Sequence, residues 1–137
     1  MNLRINIDVP DLVKAAKFYQ EALGLQINRF LDDDVVELVG ASSLIYLLAK
    51  PSGSSSAAGK GETRQYMRHW TPVHLDFEVD NLDEACERAL KAGALQESGR
   101  VEWMGSTCVT FADPFGHGFC LIHFAGTTYS PGAHHPS

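Results

Sequence analysis

Residues 3–9 alternate strictly. L-R-I-N-I-D-V puts Leu3, Ile5, Ile7 and Val9 on one face of a strand and Arg4, Asn6 and Asp8 on the other. Pro10 ends that strand, and Asp11 is placed to cap a helix in which Leu12, Ala15, Ala16, Tyr19, Ala22 and Leu23 recur at helical spacing. Gly24 closes the helix. Three strand-like runs follow, Leu25 to Leu31, Asp34 to Val39 and Ser43 to Ala49, with turns at Asp32-Asp33 and Gly40-Ala41-Ser42.

The pattern then returns. V-H-L-D-F-E-V over residues 73–79 alternates with Val73, Leu75, Phe77 and Val79 inward, and His74, Asp76 and Glu78 opposite. Asn81 caps a second helix with Glu84 three residues on, and Leu82, Ala85, Cys86, Ala89 and Leu90 form its apolar stripe up to Gly93. Strands are predicted at Gln96 to Met104, Thr107 to Ala112 and Gly118 to Phe124, the last two joined by the turn D-P-F-G-H. His74 falls 70 residues after Arg4, and at that offset Asn6 meets Asp76, Asp8 meets Glu78 and Asp11 meets Asn81. This is an internal repeat of a βαβββ unit.

The repeat predicts an α+β fold: two tandem βαβββ modules forming a curved mixed sheet around a small-molecule cup. One helix cannot cover both faces of a sheet, so the helix-free faces are where a ligand would sit. Residues 1–125 read as one domain, with module one at about 2–50, a flexible Gly/Ser-rich linker at about 51–65 and module two at about 66–125. Residues 126–137 read as a flexible tail.

Composition narrows the function. The 137 residues suit one domain, and 45% hydrophobic with 20% charged residues is ordinary for a globular chain. A net charge of −6 argues against nucleic acid as a partner. No apolar run is long enough for a membrane span, and the alternating N-terminus does not look like a signal peptide, so the expected location is cytoplasmic with no membrane partner. Three cysteines without C-x-x-C spacing argue against a disulfide framework or structural zinc.

The phrases INIDVPDLVKAAKFYQEALGL and FADPFGHGFCLIHF resemble the vicinal oxygen chelate superfamily. That group includes glyoxalase I, bleomycin-binding proteins, fosfomycin-resistance enzymes and extradiol dioxygenases. The resemblance spans roughly residues 2 to 125 and implies the paired-module fold. It also implies, in metal-dependent members, a divalent ion held by a His-or-Gln, Glu, His, Glu quartet. Carried onto this chain, those positions fall on Arg4, Tyr46, His74 and Cys120. Arginine stays protonated and would repel a cation, and a thiol is a soft replacement for a carboxylate. The expectation is therefore a ligand-binding protein with no metal and no cofactor.

The candidate ligand-binding residues are Arg4, Asn6, Tyr46, Trp70, His74, Asp76, Trp103 and Cys120. His74 faces the cup by strand parity, as a ligand contact, a partner of Asp76 or a metal ligand. Arg4 would clamp an anionic or carbonyl group, or neutralise Asp76 or Glu78. Cys120 and Cys108 share a face of one hairpin, as small buried groups or as a thiol nucleophile. Tyr46, Trp70, Trp103 and Phe115 would wall a planar ligand, or simply fill a core or a subunit interface. His117 is expected to face solvent, His123 lies outside the cup, and His134 and His135 belong to the tail. The alternative function is a metal-dependent lyase, isomerase or dioxygenase using His74; a third is metal-free catalysis by His74 or Cys120. A homodimer is expected because modules with one helix each leave apolar surface for a partner to cover.

Overall fold

A computed structural model describes residues 1–55 and 61–131. The chain divides into two compact units, Met1–Arg68 and His69–Ser137, and each contains one βαβββ module. The strands form two mixed sheets, one per module, as the paired-module α+β reading expects.

In module one, β1 (Arg4–Val9) leads into α1 (Leu12–Leu23), then β2 (Gln26–Asp32), β3 (Val35–Val39) and β4 (Leu44–Ala49). The spatial order is β1-β4-β3-β2, with β1 parallel to β4 and the other pairs antiparallel. The start of α1 is fixed as predicted: the Asp11 carboxylate accepts from the Lys14 backbone N–H at 3.0 Å. Its end needs Gly24, whose φ of 68° lies in the left-handed region that a side chain disfavours. Val9, Val36, Leu38, Ile45 and Leu47 are fully buried and form the helix-side core with Ala15, Ala16, Phe18 and Tyr19. Phe18, outside the predicted stripe, packs edge-on against Tyr19 with ring centroids 5.1 Å apart.

Module two repeats the plan with β5 (Leu75–Glu78), α2 (Leu82–Ala92), β6 (Leu95–Gln96), β7 (Val101–Trp103), β8 (Ser106–Ala112) and β9 (Gly118–Phe124). Strand β5 runs parallel to β9, β9 pairs antiparallel with β8, and both β6 and β7 pair with β8. The predicted strand from Gln96 to Met104 is broken because the Ser98 hydroxyl enters the ladder and accepts the Thr110 N–H at 2.9 Å. Met104 and Gly105, at φ 49° and 79°, then make the two-residue turn into β8.

The core of module two centres on Phe111, Leu121 and Val109, with Phe111 stacked on Phe119 at 5.8 Å. Phe77 is half-buried, and so are Ile5, Ile7 and Leu75. Strands β1 and β5 lie at sheet edges, where the helices cover less of them. For α2 the predicted stripe narrows to Leu82 and Ala89, while Leu90 is exposed.

The described ends of the Gly/Ser-rich connector are tied together. Gly53 and Ser54 exchange backbone hydrogen bonds with Arg64 at 2.7 and 2.8 Å, and the Arg64 guanidinium donates to Asp8 at 2.7 Å. After β9, the Ser130 N–H donates to the Met104 carbonyl, and Tyr129 packs on Trp103 and Phe124. His134 and His135 lie outside the described residues. Among the described residues no helix is long and apolar enough to cross a membrane.

Candidate functional site

Strand parity gives each sheet a helix side and a polar side. In module one the polar side carries a row that crosses all four strands: Asn6 opposite Tyr46, Tyr46 opposite Glu37, and Glu37 opposite Arg29. Arg4 lies two residues from Asn6 on the same face and is exposed.

The centre of this row is Glu37, which is buried. Its carboxylate accepts from Asn28 Nδ2 at 2.7 Å, Arg29 Nε at 3.0 Å and Tyr46 Oη at 2.7 Å. Consecutive residues of a strand normally point to opposite faces. Asn28 and Arg29 both reach Glu37 because the β2–β3 register slips between Ile27 and Arg29, which leaves Asn28 as an extra residue in a bulge. These donors, Asn28 first, then Arg29 and Tyr46, hold the Glu37 carboxyl down at about 2. Arg29 is raised in turn by Glu37.

In module two the polar side carries Asp76 opposite Cys120 and Cys120 opposite Thr110, with Cys108 one step along the face. His74 precedes β5, and its Nε2 lies 3.3 Å from Asp76 Oδ1. The Trp70 ring lies against the His74 ring, centroids 4.9 Å apart and tilted 43°. Thr110 Oγ1 is 3.5 Å from Cys120 Sγ. Burial pushes the Cys108 thiol up to about 12, with the neighbouring Cys120 and Asp76 adding to it. Burial also raises Cys120, against the opposing hydrogen bonds of Thr110 and Cys108. Both thiols therefore stay protonated at neutral pH, the state of a small buried hydrophobe and not of a nucleophile.

The candidate residues fall into groups. Arg4, Asn6 and Tyr46 share the polar face of module one, and Trp70, His74, Asp76 and Cys120 come together in module two. Trp103 stands apart on β7, where it packs against Tyr129 with centroids 5.3 Å apart. His117 departs from its expected exposure, since its Nδ1 lies 2.8 Å from the buried Asp113 and closes the turn between β8 and β9. His123 bonds through Nδ1 to the Val79 carbonyl at 3.0 Å.

Sequence reasoning found Tyr46 but missed Glu37 and its other partners, Asn28 and Arg29. The signal was present in V-V-E-L-V, a lone acid in an apolar strand with a parity that sets it against Val36 and Leu38. Asn28 could not have been found by alternation, because the bulge that turns it toward Glu37 leaves no mark in the pattern.

Each module by itself offers a divalent ion few donors at the family positions. In module one Arg4 cannot lose its proton, the Tyr46 hydroxyl donates its hydrogen bond to Glu37, and both Glu37 oxygens already accept hydrogen bonds. In module two the ligand atoms of His74, Asp76 and Cys120 lie within 4.8 Å of one another. One nitrogen, one oxygen and one protonated thiol do not make the oxygen-rich shell of a hard cation. The residues present do not fit a hard divalent cation.

The sequence matches the Glyoxalase-like domain family over residues 4–122. Comparison with curated proteins finds no match. Among solved structures, a genomically encoded fosfomycin resistance protein from Listeria monocytogenes is 22% identical, with 93% of each chain covered and a TM-score of 0.68. A glyoxalase/bleomycin resistance protein/dioxygenase family enzyme from Burkholderia phytofirmans is 20% identical over 88% of this chain and 96% of that one, TM-score 0.68. A glyoxalase-related enzyme from Fulvimarina pelagi is 18% identical over 95% of both, TM-score 0.68. At these identities the structures share the fold alone. With the family match covering nearly all of both modules, the chain belongs to the glyoxalase-like family of the vicinal oxygen chelate superfamily.

Proposed function

We propose that this protein binds a small, planar, polar organic molecule on the helix-free face of a module, without a metal ion. One observation carries the reading: both oxygens of Glu37 are taken by Asn28, Arg29 and Tyr46. The acid on the polar face of module one is therefore built into the site as a fixed neutralised hub, not held ready for a cation. Module two, on its own polar side, carries an aromatic ring beside hydrogen-bonding groups, with Trp70 against His74 and His74 beside Asp76. Sequestration of a toxic compound is one physiological form such binding would take.

The test is a titration with small aromatic acids, followed by Trp70 fluorescence in a Trp103→Phe background. Saturable quenching that is unchanged by EDTA and abolished by His74→Ala supports the reading. Quenching that needs an added divalent ion would replace it.

The second reading is a metal-dependent lyase, isomerase or dioxygenase with His74 as one ligand. The close approach of His74, Asp76 and Cys120 favours it, since zinc accepts nitrogen, oxygen and sulfur donors together.

A further inference from the structure

Tyr46 has one proton to give, and it gives it to Glu37 at 2.7 Å. The phenol oxygen then has only lone pairs left for anything else on that face. A tyrosine held in this way is a fixed acceptor, and a partner must bring the donor. Glu37 can hold it so because Arg29 and Asn28 satisfy the rest of the carboxylate, and the bulge in β2 brings both to the same side. The burial of Glu37 keeps water from competing for the phenol proton.

The same face supplies a cation. Arg4 pairs with Leu44, two residues before Tyr46 on the adjacent strand, so it stands diagonal to the phenol on the same side of the sheet. Among the described residues no partner accepts from or donates to the Arg4 or Asn6 side chain, and both side chains are exposed. Asn6, opposite Tyr46, lies between the two.

The geometry points to Glu37 as the positioning residue of a recognition site formed by Arg4, Asn6 and Tyr46, selective for an organic anion that carries an O–H or N–H donor at its far end. Arg4 takes the anionic group and Tyr46 accepts from the donor, with Glu37 never touching the ligand. This rests on the proposed metal-free binding and names its ligand class.

Three probes separate the contributions: 4-hydroxybenzoate has the anion and the donor at opposite ends of one ring, benzoate lacks the donor, and 4-hydroxybenzyl alcohol lacks the anion. Binding to the whole chain is measured by calorimetry in EDTA. The expected result is that 4-hydroxybenzoate binds about tenfold more tightly than benzoate, the size of one hydrogen bond between uncharged groups. Tyr46→Phe and Glu37→Leu should each erase that preference, bringing 4-hydroxybenzoate down to benzoate, and Arg4→Gln should erase the preference over the alcohol. A merely structural role for Glu37 would weaken both acids alike. Tyr46→Phe leaves the Glu37 bonds to Asn28 and Arg29 in place, so it decides the matter even where Glu37→Leu fails to fold. Equal binding of the two acids, or a preference that survives Tyr46→Phe, overturns this inference while leaving small-molecule binding intact. Binding of none of the probes at millimolar concentration overturns the inference and the proposed function together.

Discussion

Asp76 stands directly opposite Cys120 in the parallel β5–β9 pair, so a carboxylate and a buried thiol share the polar face of module two. The carboxylate and the burial act in the same direction, and each keeps the thiol protonated. The expected outcome is slow alkylation. At pH 8, iodoacetamide should modify Cys108 and Cys120 in the folded protein at least about tenfold more slowly than in urea, since only the thiolate reacts. Peptide mass mapping gives the rates, and fast selective labelling of Cys120 would revive a nucleophilic role.

The core should respond unequally to truncation. Phe111 is fully buried and stacked on Phe119, so Phe111→Ala should lower stability by about 3–5 kcal/mol. Phe77 is half-buried on an edge strand, and Phe77→Ala should lower it by less than half as much. Urea denaturation of the two variants checks the ratio.

Acid stability should depend on Glu37. Its folded-state carboxyl lies at about 2, below the value of 4.5 for an unperturbed glutamate. The group therefore contributes stability above about pH 4.5, and that contribution is lost as the pH falls from there toward 2. Glu37→Gln should flatten the melting-temperature profile across this window. An unchanged acid limb would show that the network of Asn28, Arg29 and Tyr46 does not hold the charge.

Much of the fold was legible because alternation and capping act locally. Asp11, Gly24 and Asn81 mark the helix ends they were read to mark, and the repeat at 70 residues located both modules. The shared face of His74 and Asp76 followed from parity and the place of Cys120 from the family resemblance, and the three do come together. What escaped was non-local. The insertion of Ser98 into the β8 ladder and the bulge at Asn28 depend on a partner strand, and no pattern within a single strand encodes them. The closure of Asp113 by His117 was likewise hidden, because a turn histidine reads as polar and exposed.

Apolar groups remain uncovered in each module, among them Phe30 and Leu31 on β2, and Val101 and Trp103 on β7. A homodimer would cover such surface. Light scattering across a dilution series should give a mass near twice the 15.0 kDa chain, and a monomer persisting at high micromolar concentration would defeat the expectation.

Metal-free binding is the centre of the account, and elemental analysis tests it most directly. Protein purified without chelators or metal-affinity resin should contain zinc, nickel, manganese and iron well below one ion per chain. Arg4, the protonated thiol of Cys120 and the saturated Glu37 together predict that result. One bound ion per chain, lost on His74→Ala, would contradict it and make the cluster of His74, Asp76 and Cys120 a metal centre.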